Sequence, residues 1–281
     1  MKQIIPNFII VGTPKGGTRS LINYLGEHPN VFTAGPQPHF FDRNFEKGLK
    51  YYSKFFSGWN GEKAIGEKTP SYLANREAPR RIYDTIPNVK LIFLLRNPVD
   101  RAYSDWRMDY VSGREFRSFE DTLKWELLGP KKVVRFKNTD KYLDTGKYVE
   151  HIERYLQYFP NNQMLFIISE KFRENKIETL QKIFSFLGVD SEVEISVPEE
   201  YNVGGWEKSK IVHICLGFMN VLNLDKNHFT TDIYYKLKSL NKTGKKIPMK
   251  NKTKEYLKKY YKPYNEKLSK IIDIDVMKIW K

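Results

Sequence analysis

Cysteine is nearly absent from this sequence of 281 residues, in which Cys215 is the single example. One thiol cannot form an internal disulfide, and it cannot supply the paired cysteines of a CxxC metal site. Disulfide-stapled secreted folds and zinc-ribbon folds are therefore excluded. A lone cysteine fits a reducing compartment, so we predict a cytoplasmic protein.

Long apolar runs are missing as well. Runs such as Phe8–Val11 and Leu91–Leu95 stop at four and five residues, whereas a membrane helix needs roughly 20. The first residues contain Lys2 but no long apolar stretch that ends in small residues. We therefore predict no membrane span and no signal peptide.

Acidic residues are too few to balance the basic ones, since 33 Asp and Glu face 48 Lys and Arg and leave a net charge of +15. Thirteen of the lysines fall in residues 241–281. This excess fits either a solvated lysine-rich surface or an anionic ligand. Zinc-finger spacing and RNP-type aromatic motifs are missing, so we predict no nucleic-acid partner. The sequence carries no signal for an oligomeric state.

Strands alternate with helices along the first two thirds of the chain. Apolar runs predict strands at 7–12, 90–95 and 164–169, and amphipathic patterns predict helices from Thr18 to Glu27, from Pro98 to about Tyr110, over 148–158 and over 176–187. Thr18 is predicted to cap the first helix, Gly188 to end the fourth, and a late helix to cover about 252–272. This alternation predicts one α/β domain over residues 1–281, with a central parallel sheet flanked by helices.

The loop from Gly12 to Ser20 joins the first strand to the first helix. Glycines let such a loop turn its N–H groups toward one point, the helix N-terminus adds positive character, and Lys15 adds a full charge. The loop therefore predicts a phosphate or phosphosulfate site, although many glycine-containing turns hold no ligand.

The loop lacks two parts of a Walker A nucleotide site. Gly12 and Gly17 have the right separation, but Thr18-Arg19 stand where Lys-Ser/Thr is required, and Lys15 lies inside the loop. The next strand ends in Arg96 instead of a magnesium-binding aspartate. These differences argue against a kinase or nucleotide hydrolase, and no metal is predicted.

Several segments in a fixed order resemble the PAPS-dependent sulfotransferases, in particular the branch of the heparan sulfate N- and 3-O-sulfotransferases. These segments are residues 13–21, 39–42, 66–72, 95–106, 146–154 and, more weakly, 243–248. The resemblance implies transfer of a sulfuryl group from 3′-phosphoadenosine 5′-phosphosulfate (PAPS) to a hydroxyl or amine, with release of PAP. The acceptor would be a glycan or a small secondary metabolite.

The donor site that this resemblance implies has three parts. The 5′-phosphosulfate would be bound by residues of the first loop and helix, namely Lys15, Gly16, Gly17, Thr18, Arg19 and Ser20. Arg96 and Ser104 would hold the 3′-phosphate, since a guanidinium binds phosphate in a bidentate way and a hydroxyl donates one more hydrogen bond. Lys245 and Lys246 would close a late basic loop, unless they belong to a solvated lysine cluster.

On the acceptor side, Lys15 and Lys68 are the expected cations near the sulfuryl group, and His39 and Asp42 match residues that line the acceptor site. The branch usually has a glutamate base at the position of Gln37. An amide cannot take a proton at neutral pH. Three explanations compete: His39 is the base, as a histidine can be near neutral pH; the acceptor is a nitrogen that needs little deprotonation; or Gln37 replaces a native glutamate. We favour His39, against the alternative of a purely structural histidine.

A non-catalytic polyanion-binding module is the third class of function that the sequence leaves open, because of the lysine-rich residues 241–281.

Overall fold

The computed structural model describes residues 3–128, 142–197, 206, 207, 212, 215, 216, 218, 219, 231–240, 242, 243 and 248–281. These residues fall into two compact units. The first contains Met1–Asn97, Lys147–Glu199 and Lys262–Lys281, and the second contains Pro98–Gly146 and Glu200–Tyr261. That the whole chain forms one domain stays a prediction.

The first unit is built on a sheet of five parallel strands in the order β2-β3-β1-β4-β5. The strands are β1 (Phe8–Gly12), β2 (Val31–Thr33), β3 (Ala64–Lys68), β4 (Lys90–Leu95) and β5 (Met164–Ile168). The chain leaves β1 toward β2 and leaves β4 toward β5, on opposite sides. Ligands bind at the carboxyl ends of strands where such a reversal occurs, so the ends of β1 and β4 are the expected location of a site.

Both faces of this sheet are buried. In β1, Ile9 and Val11 pack into one apolar cluster while Phe8 and Ile10 pack into another. This alternation follows from the two-residue period of a strand. Two buried faces require continuous apolar runs, which is why β1, β4 and β5 could be predicted from the sequence.

The α-helices whose bounds lie within the described residues are, in order, α1 (Thr18–Gly26), α2 (Gly48–Ser53), α3 (Ala78–Thr85), α4 (Pro98–Val111), α5 (Phe119–Leu128), α6 (Tyr148–Leu156), α7 (Ser169–Glu174), α8 (Lys176–Leu187), α9 (Thr231–Leu240), α10 (Asn251–Ile272) and α11 (Val276–Ile279). A five-residue π-turn, Phe40–Asn44, precedes α2. Gly188 ends α8 in the left-handed region at φ 81°, as predicted.

The predicted parallel α/β fold is confirmed, with several local differences. Gly17, and not Thr18, is the N-cap of α1, at φ 99°, because the tight loop requires a left-handed residue there. Ser169 opens α7 instead of ending β5. The strands β2 and β3 and the helices α2, α3, α5, α7, α9 and α11 had no counterpart in the sequence-based prediction.

The second unit has its own buried cluster, which includes Trp106 of α4, Phe119 of α5 and Leu257 and Tyr261 of α10. It also contains a short antiparallel pair, β6 (Trp206–Glu207) with β7 (Lys242–Thr243). Within the described residues, no helix is long and apolar enough to span a bilayer.

Candidate active site

The loop after β1 is held against β4 by its backbone. The N–H of Thr13 donates to the carbonyl of Leu94 at 2.9 Å, and the N–H of Gly16 donates to the carbonyl of Thr13 at 3.0 Å. A Cβ on Gly16 would lie 2.6 Å from the Leu94 carbonyl oxygen, so the approach is open only to glycine. Lys15 adopts φ 67°, a region that costs free energy for any residue other than glycine and that clusters at functional sites.

The N-terminus of α1 is arranged to receive an anion. Thr18, Arg19 and Ser20 form its first turn, which contains no acidic residue, and Gly17 has no side chain that could cap it. The first N–H groups of a helix lack partners within the helix and carry partial positive charge. A phosphate-like group therefore fits this end of α1, and that the loop binds one stays a prediction.

Arg96 follows β4 directly and contacts the same loop. Its Nη1 donates to the carbonyl of Lys15 at 3.1 Å, although the two residues are 81 positions apart in the sequence. The structure thus brings two of the predicted donor-binding residues together at the ends of β1 and β4.

The other predicted donor residues are placed as follows. Ser104 lies half-buried in α4, within the second unit, and its sharing of an anion with Arg96 stays a prediction. Lys245 and Lys246 lie outside the described residues.

A cavity of about 230 Å³ opens beside α1. Its lining combines two cations, two side-chain amides, an isoleucine and four small residues: Arg19, Lys68, Gln37, Asn23, Ile22 and residues 33–36. This volume is smaller than the roughly 300–1,000 Å³ of a site that encloses a whole small molecule. The cavity therefore suits one functional group of a larger ligand.

Lys68 carries its charge into this cavity from the end of β3. It is 7% exposed, and its pKa is lowered by burial and then by the neighbouring Arg19 cation. Two cations at close quarters repel each other, so an anion bound between them would be stabilised by both. This electrostatic arrangement supports the prediction that Lys68 faces a negatively charged group.

His39 and Asp42 form a hydrogen-bonded pair next to Gln37 in the sequence. Nδ1 of His39 lies 3.1 Å from Oδ2 of Asp42, and the hydroxyl of Ser71 donates to the same oxygen at 2.6 Å. Burial acts to raise the pKa of Asp42, but the hydrogen bonds from His39 and Ser71 outweigh it and hold that pKa below its usual value. An ionised carboxylate only accepts, so Nδ1 must carry the proton. The other ring nitrogen, Nε2, is then the basic one.

The turn that holds this pair is fixed by the Tyr72 hydroxyl. It accepts from the N–H of Phe40 at 2.8 Å and from the N–H of Phe41 at 3.3 Å. His39 itself is left-handed, at φ 47°. A non-glycine residue keeps this conformation only where its surroundings impose it, which argues against a histidine that merely fills space.

Glu67 lies fully buried beneath the same turn. Its carboxyl accepts from the hydroxyls of Tyr52 at 3.1 Å and Thr69 at 2.7 Å. Burial raises its pKa to about 7, although these hydrogen bonds act in the opposite direction. Glu67, Ser71 and Tyr72 were not predicted individually as site residues. The hydroxyl-rich run that follows Lys68 was the available signal.

Within the described residues, no group of three or more His, Cys, Asp and Glu could hold a metal ion. That catalysis needs no metal stays a prediction.

The sequence matches a known protein family and is similar to several characterised proteins. Residues 6–203 match the family model described as "Sulfotransferase domain". Human heparan sulfate glucosamine 3-O-sulfotransferase 6 is 37% identical over 188 residues, which cover 67% of this chain and 54% of that protein. Human heparan sulfate glucosamine 3-O-sulfotransferase 3B1 is 37% identical over 193 residues, 66% of this chain and 46% of that protein.

The chain thus spans about half the length of these curated relatives. Among solved structures, a sulfotransferase from Alicyclobacillus acidocaldarius superposes with a TM-score of 0.73 at 24% identity, over 97% of each chain. This likeness concerns the fold.

Proposed function

The chain belongs to the sulfotransferase family, and we propose that it transfers a sulfuryl group from PAPS to a hydroxyl group of an anionic glycan. The pair of His39 and Asp42 carries this proposal, because it supplies an oriented base where the family's usual glutamate is replaced by Gln37. The relatives are named as heparan sulfate sulfotransferases, which supports a glycan over a small metabolite.

The donor would be bound at the ends of β1 and β4. The N-terminus of α1 and the charge of Lys15 suit the 5′-phosphosulfate, and Arg96 suits the 3′-phosphate because its guanidinium already contacts the loop at the Lys15 carbonyl. Fixed donors of this kind stabilise charge that spreads over transferred oxygens without reorganising during the reaction. Ser104, Lys245 and Lys246 belong to the proposal as further donor ligands.

The acceptor hydroxyl would enter from the side of Lys68 and Gln37. Nε2 of His39 takes the hydroxyl proton as the oxygen attacks, and Asp42 stabilises the resulting imidazolium. Lys68 stabilises negative charge on the sulfuryl oxygens, and Gln37 orients the acceptor by hydrogen bonding. The net charge of +15 favours an acceptor that is itself anionic.

Transfer of radioactive sulfate from labelled PAPS tests the proposal directly. Acceptors should include heparan sulfate, unsulfated heparosan and a panel of small phenols and amines. Labelled heparan sulfate is the expected product. Incorporation only into amines or phenols would replace the glycan by that acceptor and keep the family chemistry.

Ligand-dependent melting separates the remaining classes of function. PAP should raise the melting temperature, whereas ATP with Mg²⁺ should not. Stabilisation by ATP with Mg²⁺ alone would support a kinase, and stabilisation by heparin alone would support a non-catalytic polyanion-binding module.

The cytoplasm is the compartment that we propose, on the basis of the single, exposed Cys215.

A further inference from the structure

The peptide unit between Arg96 and Asn97 is held from both sides. Its carbonyl accepts from the hydroxyl of Tyr148 at 2.8 Å, and its N–H donates to Oε1 of Glu170 at 3.1 Å. The peptide is planar, so it cannot rotate without breaking both hydrogen bonds. These two contacts therefore fix the backbone from which the Arg96 side chain projects, directly after β4.

Trp280, the residue after α11, connects the two side chains that hold this peptide. Its indole N–H donates to Oε2 of Glu170 at 3.0 Å, and its ring packs against the ring of Tyr148 with centroids 5.9 Å apart. Trp280 is 7% exposed and Tyr148 is 1% exposed. Indole N–H is only a donor and needs an acceptor when buried, so the geometry of Trp280 and that of Glu170 fix each other.

The same region also reaches the phosphate loop. Ser169, next to Glu170, donates its hydroxyl to the carbonyl of Gly16. Nη2 of Arg173 lies 3.5 Å from Oε1 of Glu170, which offsets the negative charge that Glu170 would otherwise place beside an anion site. The first residues of α7 therefore support both halves of the donor site.

We propose that Trp280 is a positioning residue, which acts through Glu170 and Tyr148 to aim the Arg96 guanidinium at the 3′-phosphate of the donor. The proposal rests on the donor assignment made above for Arg96. Trp280 lies beyond residues 6–203, the part matched by the family model. The Arg96 backbone is held by Tyr148 and Glu170, and its Nη1 donates to the Lys15 carbonyl. The guanidinium therefore loses little further freedom when it binds phosphate.

The Trp280→Phe variant tests this role, because it keeps an aromatic ring and removes the N–H. Calorimetry should compare PAP with 5′-AMP, which lacks the 3′-phosphate. We expect PAP affinity to fall about tenfold, the usual size for a lost hydrogen bond to a charged group. The affinity for 5′-AMP should change less than about twofold, because Ser169 keeps its hydrogen bond to the Gly16 carbonyl of the 5′ loop. In turnover, KM for PAPS should rise while kcat is kept.

Trp59→Phe is the matched control. Trp59 is 37% exposed and donates its indole N–H to the carbonyl of Glu62 at 2.8 Å, so the same chemical change is made away from the donor residues. Both nucleotide affinities should stay at their original values. Tyr148→Phe removes only the hydroxyl that holds the Arg96 carbonyl, and it should reproduce the selective loss of PAP affinity.

The outcomes distinguish this inference from the proposed function. An unchanged ratio of PAP to 5′-AMP affinity in both Trp280→Phe and Tyr148→Phe overturns the positioning role and leaves the donor assignment standing. Equal losses for both nucleotides, with a lower melting temperature, show a merely structural residue and also overturn it. If the unmodified protein binds PAP no better than 5′-AMP, the donor assignment fails and the positioning role fails with it.

Discussion

Replacing the buried carboxyl of Glu67 by the amide of glutamine should flatten the pH dependence of the protein's stability. Glu67 is fully buried, and its pKa rises from 4.5 to about 7 in the folded protein. The folded state therefore keeps a proton that the unfolded chain releases between these values. Stability must fall as the pH rises through this window, and it levels off above the folded pKa.

The size of the effect follows from the two pKa values. Each pH unit between them is worth about 1.4 kcal/mol, so the carboxyl lowers the free energy of unfolding by ~3 kcal/mol once the pH exceeds 7. Between pH 5 and pH 8 the loss is about 2 kcal/mol, because the unfolded chain is already largely ionised at pH 5. Glutamine cannot ionise and does not pay this cost.

Urea unfolding, followed by tryptophan fluorescence at several pH values between 5 and 8, measures the difference. The free energy of unfolding of Glu67→Gln, minus that of the unmodified protein, should rise by about 2 kcal/mol across this range. Subtraction removes the contribution of Glu126, whose pKa burial also raises to about 7. Glu46→Gln, at an exposed position, is the control and should give a flat difference. A flat difference for Glu67→Gln would refute the burial argument.

Four further results are expected. Lys15→Ala should abolish transfer and weaken PAP binding in calorimetry, because the loop's N–H groups cannot replace a full charge; turnover at the original rate would rule out the loop assignment. His39→Ala should lower kcat about 10²- to 10⁴-fold with little change in PAP affinity, and Gln37→Glu should be neutral or harmful; a large gain in Gln37→Glu beside an indifferent His39→Ala would identify position 37 as the base. Ser71→Ala should lower kcat about tenfold, since Asp42 loses one of its hydrogen bonds, and an unchanged kcat would contradict a role for this hydroxyl. Activity should survive EDTA, and complete loss would reopen metal-dependent phosphoryl transfer.

The strands that the sequence predicted are those buried on both faces. β1, β4 and β5 consist of nearly uninterrupted apolar residues, because each lies between two layers of packing. β3 escaped prediction since it reads Ala-Ile-Gly-Glu-Lys. Its glutamate is tolerated because the hydroxyls of Tyr52 and Thr69 bind it, and its glycine is required because a Cβ on Gly66 would lie 2.1 Å from the ring of Phe8. Neither reason is visible in a local pattern.

Only some residues of the candidate site could be predicted from the sequence. The loop around Lys15 and the position of Arg96 could be predicted, because glycines, a lysine and a strand end occur close together in the sequence. The support of Arg96 could not. Tyr148, Glu170 and Trp280 are far from it along the chain, and a buried tyrosine or tryptophan is ordinarily interpreted as a core residue.

The order of strands in the sheet separates substitutions that affect the acceptor from substitutions that affect nucleotide binding. β1 lies between β3 and β4, so the proposed acceptor residues follow β2 and β3 on one side, and the proposed nucleotide residue Arg96 and its supports follow β4 and β5 on the other. Adjacent strands are about 4.8 Å apart, which leaves one strand's width between each group and the shared loop. Substitutions in residues 34–36, which line the cavity, can therefore change the acceptor while Lys68, the His39–Asp42 pair and the donor residues are kept. Loops from relatives with other acceptors should be exchangeable on this side without loss of PAP binding.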